Sequence, residues 1–138
     1  MSRFIIQNFK KWDFFAVDLE EAIQSRRYTN ICIGGGRGSA KSKGLRMIAY
    51  RYCRKLPNLK VLMLRRTYVE LAENHIEAAV GEQDRIGGKY SSYRLRFERT
   101  GSVLRFGHCH EDKDWAPYVG AEFDLVIYDQ IESFTEQQ

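Results

Sequence analysis

The residues with the clearest chemical potential form a glycine-rich segment, GGRGSAKS, over residues 35–42. Glycines let successive backbone N–H groups turn inward around an anion, and a helix that follows adds its positive end. The segment approaches the phosphate-binding pattern G-x-x-x-x-G-K-S/T, with alanine where that pattern has its second glycine. We therefore predict a nucleotide phosphate site made of Gly35, Gly36, Arg37, Gly38, Ser39, Ala40, Lys41 and Ser42.

Such a site also needs an acid that holds a metal ion. The apolar run 125–128 ends at Asp129, which is the form of a buried strand whose terminal carboxylate holds Mg²⁺. In the same pattern Lys41 reaches the β- and γ-phosphates, and the Ser42 hydroxyl ligates the metal. The sequence thus predicts an ATP site with Mg²⁺ held by Ser42 and Asp129.

The residue after Asp129 decides whether the bound nucleotide is hydrolysed. Many ATPases have a glutamate here that deprotonates the attacking water, whereas this chain has Gln130. An amide can orient a water molecule but cannot accept its proton, so Glu132 is the nearest alternative base. Two interpretations stay open, a natural glutamine and a Glu→Gln exchange that traps the nucleotide.

Hydrophobic periodicity predicts the elements that position these residues. Helices are predicted over 12–24, 41–56 and 67–80, the last opened by a Thr67/Glu70 capping box, and buried strands over 29–33, 59–64 and 123–128. A β-hairpin is predicted from the alternating residues of 93–97 and 103–106. This order indicates an α/β layered fold with a mainly parallel sheet flanked by helices, of the RecA-like P-loop NTPase type.

The predicted helix over 41–56 places Arg46 away from its apolar stripe, among the other basic residues of that segment. At the other end of the chain, residues 133–136 have the form of a helix start, followed by only two residues. We therefore expect residues 1–138 to be the front part of one longer ATPase domain.

Composition and charge limit the class of protein. Apolar residues make up 43% of the 138 residues, and no apolar run approaches the roughly 18 residues of a membrane span. Residues 1–105 carry 21 Lys/Arg against 10 Asp/Glu, whereas residues 106–138 carry 1 against 8. The basic body suggests a phosphate-rich partner, while the three scattered cysteines and the lack of a secretory signal favour an intracellular protein with reduced thiols.

With these pieces placed, the chain resembles the large terminase subunit of tailed bacteriophages, at the front of its ATPase domain. The resemblance covers about residues 30–138 and rests on GGRGSAKS, VLMLRRTYVEL at 61–71, VLRFGH at 103–108 and YVGAEFDLVIYDQIESFTEQQ at 118–138. It implies an ATP-driven motor that packs double-stranded DNA into a capsid in the host cytoplasm. The implied partners are a portal protein, a small terminase subunit and further copies of the chain in a ring, without a membrane.

The same resemblance implies roles for individual residues. Arg37 acts at the γ-phosphate, Lys41 and Ser42 bind phosphate and Mg²⁺, and Asp129 holds the metal. Gln130 stands at the family's catalytic glutamate position and departs from it. A nuclease domain follows the ATPase domain in this family and would lie beyond Gln138.

Two other functions stay open. One is a different P-loop DNA-dependent ATPase of the helicase or recombinase type, and the other is a nucleotide-binding module without turnover, suggested by Gln130. The Arg65-Arg66 pair after the second predicted strand is either solvated or in contact with DNA phosphate or a neighbouring subunit. The cluster 108–112, with His108 and His110, resembles a metal site but lacks a second ligand pair, so an exposed strand end is favoured.

Overall fold

The computed structural model describes residues 41–118 and 120–129. Several predicted features lie outside these residues: the helix over 12–24, the strand over 29–33, the loop residues Gly35, Gly36, Arg37, Gly38, Ser39 and Ala40, the candidate bases Gln130 and Glu132, and the helix start at 133–136. The described elements are α1 (Lys41–Lys55), β1 (Lys60–Arg65), α2 (Tyr68–Leu71), a π turn (Ala72–Ile76), α3 (Glu77–Ile86), β2 (Gly88–Ser91), β3 (Arg94–Phe97), β4 (Ser102–His108), a 3-10 helix (Asp112–Tyr118) and β5 (Leu125–Tyr128).

The five described strands form one sheet in the order β2-β3-β4-β1-β5. Strand β1 runs parallel to both β4 and β5, whereas β2-β3 and β3-β4 are antiparallel pairs. The α/β class and the hairpin are confirmed. The predicted parallel arrangement holds for β4-β1-β5 only, so the sheet is mixed across the described residues.

Strand β2 is the one described strand that the sequence did not predict; the π turn and the 3-10 helix were not predicted either. Its residues, GKYS, are too short and too polar to show the alternation that marks a strand. Gly87 ends α3 in the left-handed conformation, at φ 73°, and turns the chain directly into β2. The two residues between β2 and β3, Ser92 and Tyr93, both have positive φ, as a type I′ hairpin turn requires.

Helix α1 packs across the sheet and is buried more widely than its amphipathic pattern predicted. The expected stripe is buried or half-buried, and Met47, Tyr50 and Cys53 are buried as well. Arg46, predicted to lie off the apolar stripe, is only 5% exposed, so burial of this helix extends beyond that stripe. Its guanidinium reaches Glu82 at 3.1 Å, and this ion pair offsets the cost of burying a charge.

The segment after β1 begins as predicted and runs further. The Thr67 side chain accepts a hydrogen bond from the Glu70 amide at 3.3 Å, and its hydroxyl donates to the Glu70 carboxylate at 2.9 Å. Helical structure then continues to Ile86 instead of ending near Val80, and a π turn interrupts it at Ala72–Ile76. No helix in the described part of the chain is long and apolar enough to cross a membrane.

Candidate functional site

The candidate site lies at the carboxyl edge of the parallel strands. Arg65 and His108 are register partners at the ends of β1 and β4, and Asp129 directly follows β5. Helix α1 begins at the same edge, with Lys41 and Ser42 in its first turn. Ligands of open α/β sheets bind in the crevice outside the carboxyl ends of the strands.

Ser42 and Asp129 are 87 residues apart in the chain, and the fold brings their side chains into contact. The Ser42 hydroxyl donates a hydrogen bond to Asp129 Oδ2 at 2.6 Å. The backbone amide of Asp129 donates to the carbonyl of Leu64 at 3.0 Å, which continues the β1-β5 pairing by one residue. The main chain therefore fixes where the Asp129 carboxylate stands relative to the start of α1.

Two further donors reach the same carboxylate oxygen. Arg65 Nη1 lies 2.5 Å from Asp129 Oδ2 and 3.3 Å from Ser42 Oγ. His75 Nε2, from the π turn, lies 2.8 Å from Oδ2. Three side chains from three different elements thus converge on one oxygen atom.

The surroundings of Asp129 set its charge. Burial by itself raises the pKa of the Asp129 carboxyl. Hydrogen bonds from His75 and Ser42, together with the charge of Arg65, outweigh burial and hold this pKa well below its ordinary value of 3.8. Asp129 is therefore an anion at neutral pH, which is the form that ligates a metal ion.

The state of His75 follows from its burial. Burial lowers the pKa of His75 by more than the hydrogen bond to Asp129 raises it, so the imidazole is neutral at neutral pH. A neutral imidazole beside a carboxylate places its proton on the nitrogen that faces it, so we assign the proton to Nε2. Nδ1 is then an acceptor, and it is buried without a hydrogen-bond partner among the described residues.

The donors at this edge suit a small divalent cation. A serine hydroxyl and an ionised carboxylate are hard oxygen donors, and Mg²⁺ is usually held by one or two such groups together with substrate phosphates. The Arg65 guanidinium lies against the same Asp129 oxygen and would compete with a metal ion for it, so metal binding there requires that Arg65 contact to change. Among the described side chains no three His, Cys, Asp or Glu residues gather into a larger metal cluster.

The structure also describes Lys41 and His108, two further residues considered as site candidates from the sequence. Lys41, half-buried, is the first residue of α1 and lies one position from Ser42. His108 does not join a metal cluster among the described residues, and its ring meets the Tyr68 ring edge-on at 5.9 Å. The remaining phosphate-loop residues and the two candidate bases lie outside the described residues.

Two residues of the site, Arg65 and His75, were not predicted from the sequence as partners of Asp129. Arg65 was expected to be solvated or to contact DNA or a neighbouring subunit, yet it is 6% exposed and paired with Asp129. Its signal was its place as the last residue of a buried parallel strand. His75 follows Leu71 by four residues and precedes Ala79 by four, so helical spacing already placed it on the buried face.

Comparison with protein-family models, with curated proteins and with solved structures gives no match for this chain. The functional evidence in this structure therefore lies in the side chains that converge at the carboxyl edge of the sheet.

Proposed function

We propose that this chain is an Mg²⁺-dependent ATP-binding and ATP-hydrolysing domain with a P-loop NTPase fold, and that it serves as the motor of a DNA-packaging terminase large subunit. The observation that carries the proposal is the 2.6 Å contact between Ser42 Oγ and Asp129 Oδ2. In P-loop NTPases the serine or threonine of the phosphate loop and the acid at the end of a neighbouring strand hold one metal ion between them. Such proximity between a helix start and a strand end, 87 residues apart, supports that assignment.

In this proposal, different residues contact different parts of the bound ATP·Mg²⁺. Lys41 opens α1, where its ammonium and the N-terminal end of the helix both stabilise phosphate oxygens. Ser42 and Asp129 would hold Mg²⁺, which supplies neutralisation of the charge on the β- and γ-phosphates. Arg37, within the glycine-rich segment, is proposed to act at the γ-phosphate.

The terminase assignment rests on the sequence resemblance and on charge. Arg65, the last residue of β1, and Asp129, which follows β5, lie within the quoted segments VLMLRRTYVEL and YVGAEFDLVIYDQIESFTEQQ. The excess of basic residues over 1–105 suits a double-stranded DNA partner. By the same resemblance the motor works as a ring on a portal protein with a small terminase subunit.

A nucleotide-binding module without turnover is the second candidate, and Gln130 is the observation that favours it. A glutamine amide orients a water molecule but takes no proton from it. Hydrolysis would then depend on Glu132 or on a group supplied from elsewhere. Both candidates share the same ATP·Mg²⁺ site and differ only in turnover.

Equilibrium binding of ATP in the presence of Mg²⁺ tests the shared site. Ser42→Ala should weaken ATP·Mg²⁺ binding by about tenfold or more, because it removes one contact to a charged ligand. Ser91→Ala is the matched control, since Ser91 is exposed on β2, and it should leave the affinity unchanged. Equal affinity for Ser42→Ala and the parent protein would overturn the proposed function.

A further inference from the structure

We propose that His75 is a positioning residue that holds the Asp129 carboxylate in place for cation binding. The inference rests on the proposed function, because it assigns a role toward the cation that Ser42 and Asp129 would share. His75 touches neither phosphate nor metal in this assignment, and it acts only through the Asp129 oxygen that it contacts at 2.8 Å.

The three partners of Asp129 Oδ2 are not equivalent. Ser42 is a proposed metal ligand, and Arg65 is a cation at the carboxylate that a metal ion would approach. Both contacts therefore change when a cation binds there. His75 is fully buried and reaches Oδ2 from the helical layer, so its hydrogen bond is the one that persists.

The backbone around His75 is supported from two sides. The Glu77 amide donates to the carbonyl of Ala72, five residues back, which defines the π turn. The side-chain amide of Asn74 donates to the carbonyl of Glu70 at 2.8 Å. Arg46 Nη1 in turn donates to the carbonyl of Asn74 at 2.9 Å. Single π turns of this kind occur frequently at functional sites.

The Arg46 contact ties the π turn to the helix that carries Ser42. Arg46 lies one turn after Ser42 on α1, and its guanidinium also pairs with Glu82 on α3. The residue just before His75 is therefore fixed to α1, and His75 itself is fixed to the end of β5 through Asp129. This arrangement keeps the imidazole, the carboxylate and the start of α1 in one geometry.

A purely structural role explains His75 less well. A leucine of similar size would fill the same buried place without burying a polar ring, whereas His75 Nδ1 has no partner among the described residues. That unsatisfied atom is an unfavourable feature of the folded state. The favourable feature that accompanies it is the Nε2 hydrogen bond to the anionic Asp129.

The test compares ATP binding with Mg²⁺ and with EDTA in the protein and in three variants. The readout is the dissociation constant in EDTA divided by the dissociation constant with Mg²⁺. This ratio measures how much Mg²⁺ strengthens ATP binding. His75→Ala should lower this ratio by about 10–100-fold, the usual cost of losing a partner of a metal ligand, and should leave ATP binding in EDTA unchanged. His75→Gln should restore most of the ratio, since its amide N–H can donate from nearly the same place as Nε2. His108→Ala, at the same edge but in contact with Tyr68, should match the parent.

The outcomes separate this inference from the proposed function. If Mg²⁺ does not strengthen ATP binding in the parent protein, the proposed function fails and takes the His75 role with it. If Mg²⁺ strengthens binding equally in the parent and in His75→Ala, only the His75 role is overturned. A His75→Gln variant as weak as His75→Ala would also overturn it, because a hydrogen-bond donor would then not be what matters.

A measurement on the unmodified protein covers the case in which His75→Ala fails to fold. Nitrogen-15 NMR of the imidazole reports which ring nitrogen carries the proton. The proposal requires the His75 proton on Nε2 both without ligand and with ATP and Mg²⁺ bound. A proton on Nδ1 in either state would overturn it.

Discussion

Asp129 is the residue on which the described site converges. Its Oδ2 accepts hydrogen bonds from Ser42 of α1, Arg65 of β1 and His75 of the π turn. Three elements from separate parts of the chain therefore meet at one atom. These donors favour the ionised carboxylate over the protonated form. An ionised carboxylate beside a serine hydroxyl offers two hard oxygen donors, and this is the chemical basis of the proposed ATP·Mg²⁺ site.

The charge of Lys41 gives the first residue-level prediction. Lys41→Ala should weaken ATP·Mg²⁺ binding by about 1.5–3 kcal/mol, because it removes a charge-assisted contact to phosphate. Lys43→Ala is the matched control, since Lys43 is an exposed lysine two positions further along the same helix. Titration calorimetry compares the two variants. Equal affinities for both would count against a phosphate site at the start of α1.

The amide of Gln130 gives the second residue-level prediction, which concerns turnover. Gln130→Glu should raise the ATPase rate by a factor in the lower part of the 10²–10⁴ range of general-base catalysis, with ATP affinity little changed. Steady-state phosphate release measures the rate. If the exchange has no effect, Glu132 becomes the candidate base, and Glu132→Gln should then abolish turnover. A hydrolysing protein whose rate neither exchange alters would contradict both assignments.

At the scale of elements, the β3-β4 connection secures the end of α1. Ser102 is fully buried; its hydroxyl donates to the carbonyl of Leu56 at 2.6 Å and accepts from the amide of Leu59 at 2.9 Å. The Thr100 hydroxyl donates to the carbonyl of Cys53 at 2.5 Å, in the last turn of α1. Thr100 and Ser102 thus satisfy backbone groups of the last turn of α1 and of the α1-β1 connection, and this fixes where α1 lies against the sheet.

Removing the Ser102 hydroxyl should therefore destabilise the fold. Ser102→Ala leaves the buried Leu59 amide and the part-buried Leu56 carbonyl without this partner, and the free energy of unfolding should fall by about 1–3 kcal/mol. Ser91→Ala, at an exposed position of β2, should change it by no more than about 0.5 kcal/mol. Urea unfolding measures both. A Ser102→Ala variant as stable as the control would show that these hydrogen bonds do not secure the helix.

The buried thiol of α1 gives a prediction on pH. Burial raises the pKa of the Cys53 thiol to about 12 from its ordinary value of 9.0, so the folded state keeps a proton that the unfolded state releases above pH 9. The stability that this thiol contributes is fully present below pH 9 and is lost as pH rises toward 12. Between pH 8 and pH 10 the parent should lose about 1 kcal/mol more unfolding free energy than Cys53→Ala. Equal losses would contradict this ionisation.

Sequence patterns predicted the elements better than the contacts of the site. The strand over 59–64, the Thr67 cap and the β3-β4 hairpin each leave a local pattern of apolar, turn or capping residues, and the structure has them. The strand predicted as buried over 123–128 is present as β5, Leu125–Tyr128, but only Ile127 of its four residues is buried. The pairing of Arg65 with Asp129 leaves no local pattern, since it depends on which strands become neighbours. Arg46 shows the same limit, because its burial depends on Glu82 lying opposite it on another helix.

At the scale of the whole molecule, strand order is what creates the site. Strand β1 lies between β4 and β5 and runs parallel to both, so residues that follow these strands meet at one edge. The same edge also brings together the oppositely charged parts of the chain. All but one of the 22 Lys and Arg residues precede residue 106, and the acidic stretch that follows includes Asp129, which pairs with Arg65 from the basic part. Part of the opposite charge is therefore neutralised within the fold, at the site itself.

The central claim is that Ser42 and Asp129 form one cation site for a bound nucleotide. A double-mutant cycle on Mg²⁺-dependent ATP binding tests it most directly, with the parent, Ser42→Ala, Asp129→Asn and the double variant measured with Mg²⁺ and with EDTA. We predict that each single variant loses most of the gain in ATP affinity that Mg²⁺ gives the parent. The double variant should lose no more of this gain than the single variant that loses most. Single variants that retain this strengthening, or losses that simply add in the double variant, would contradict a shared site.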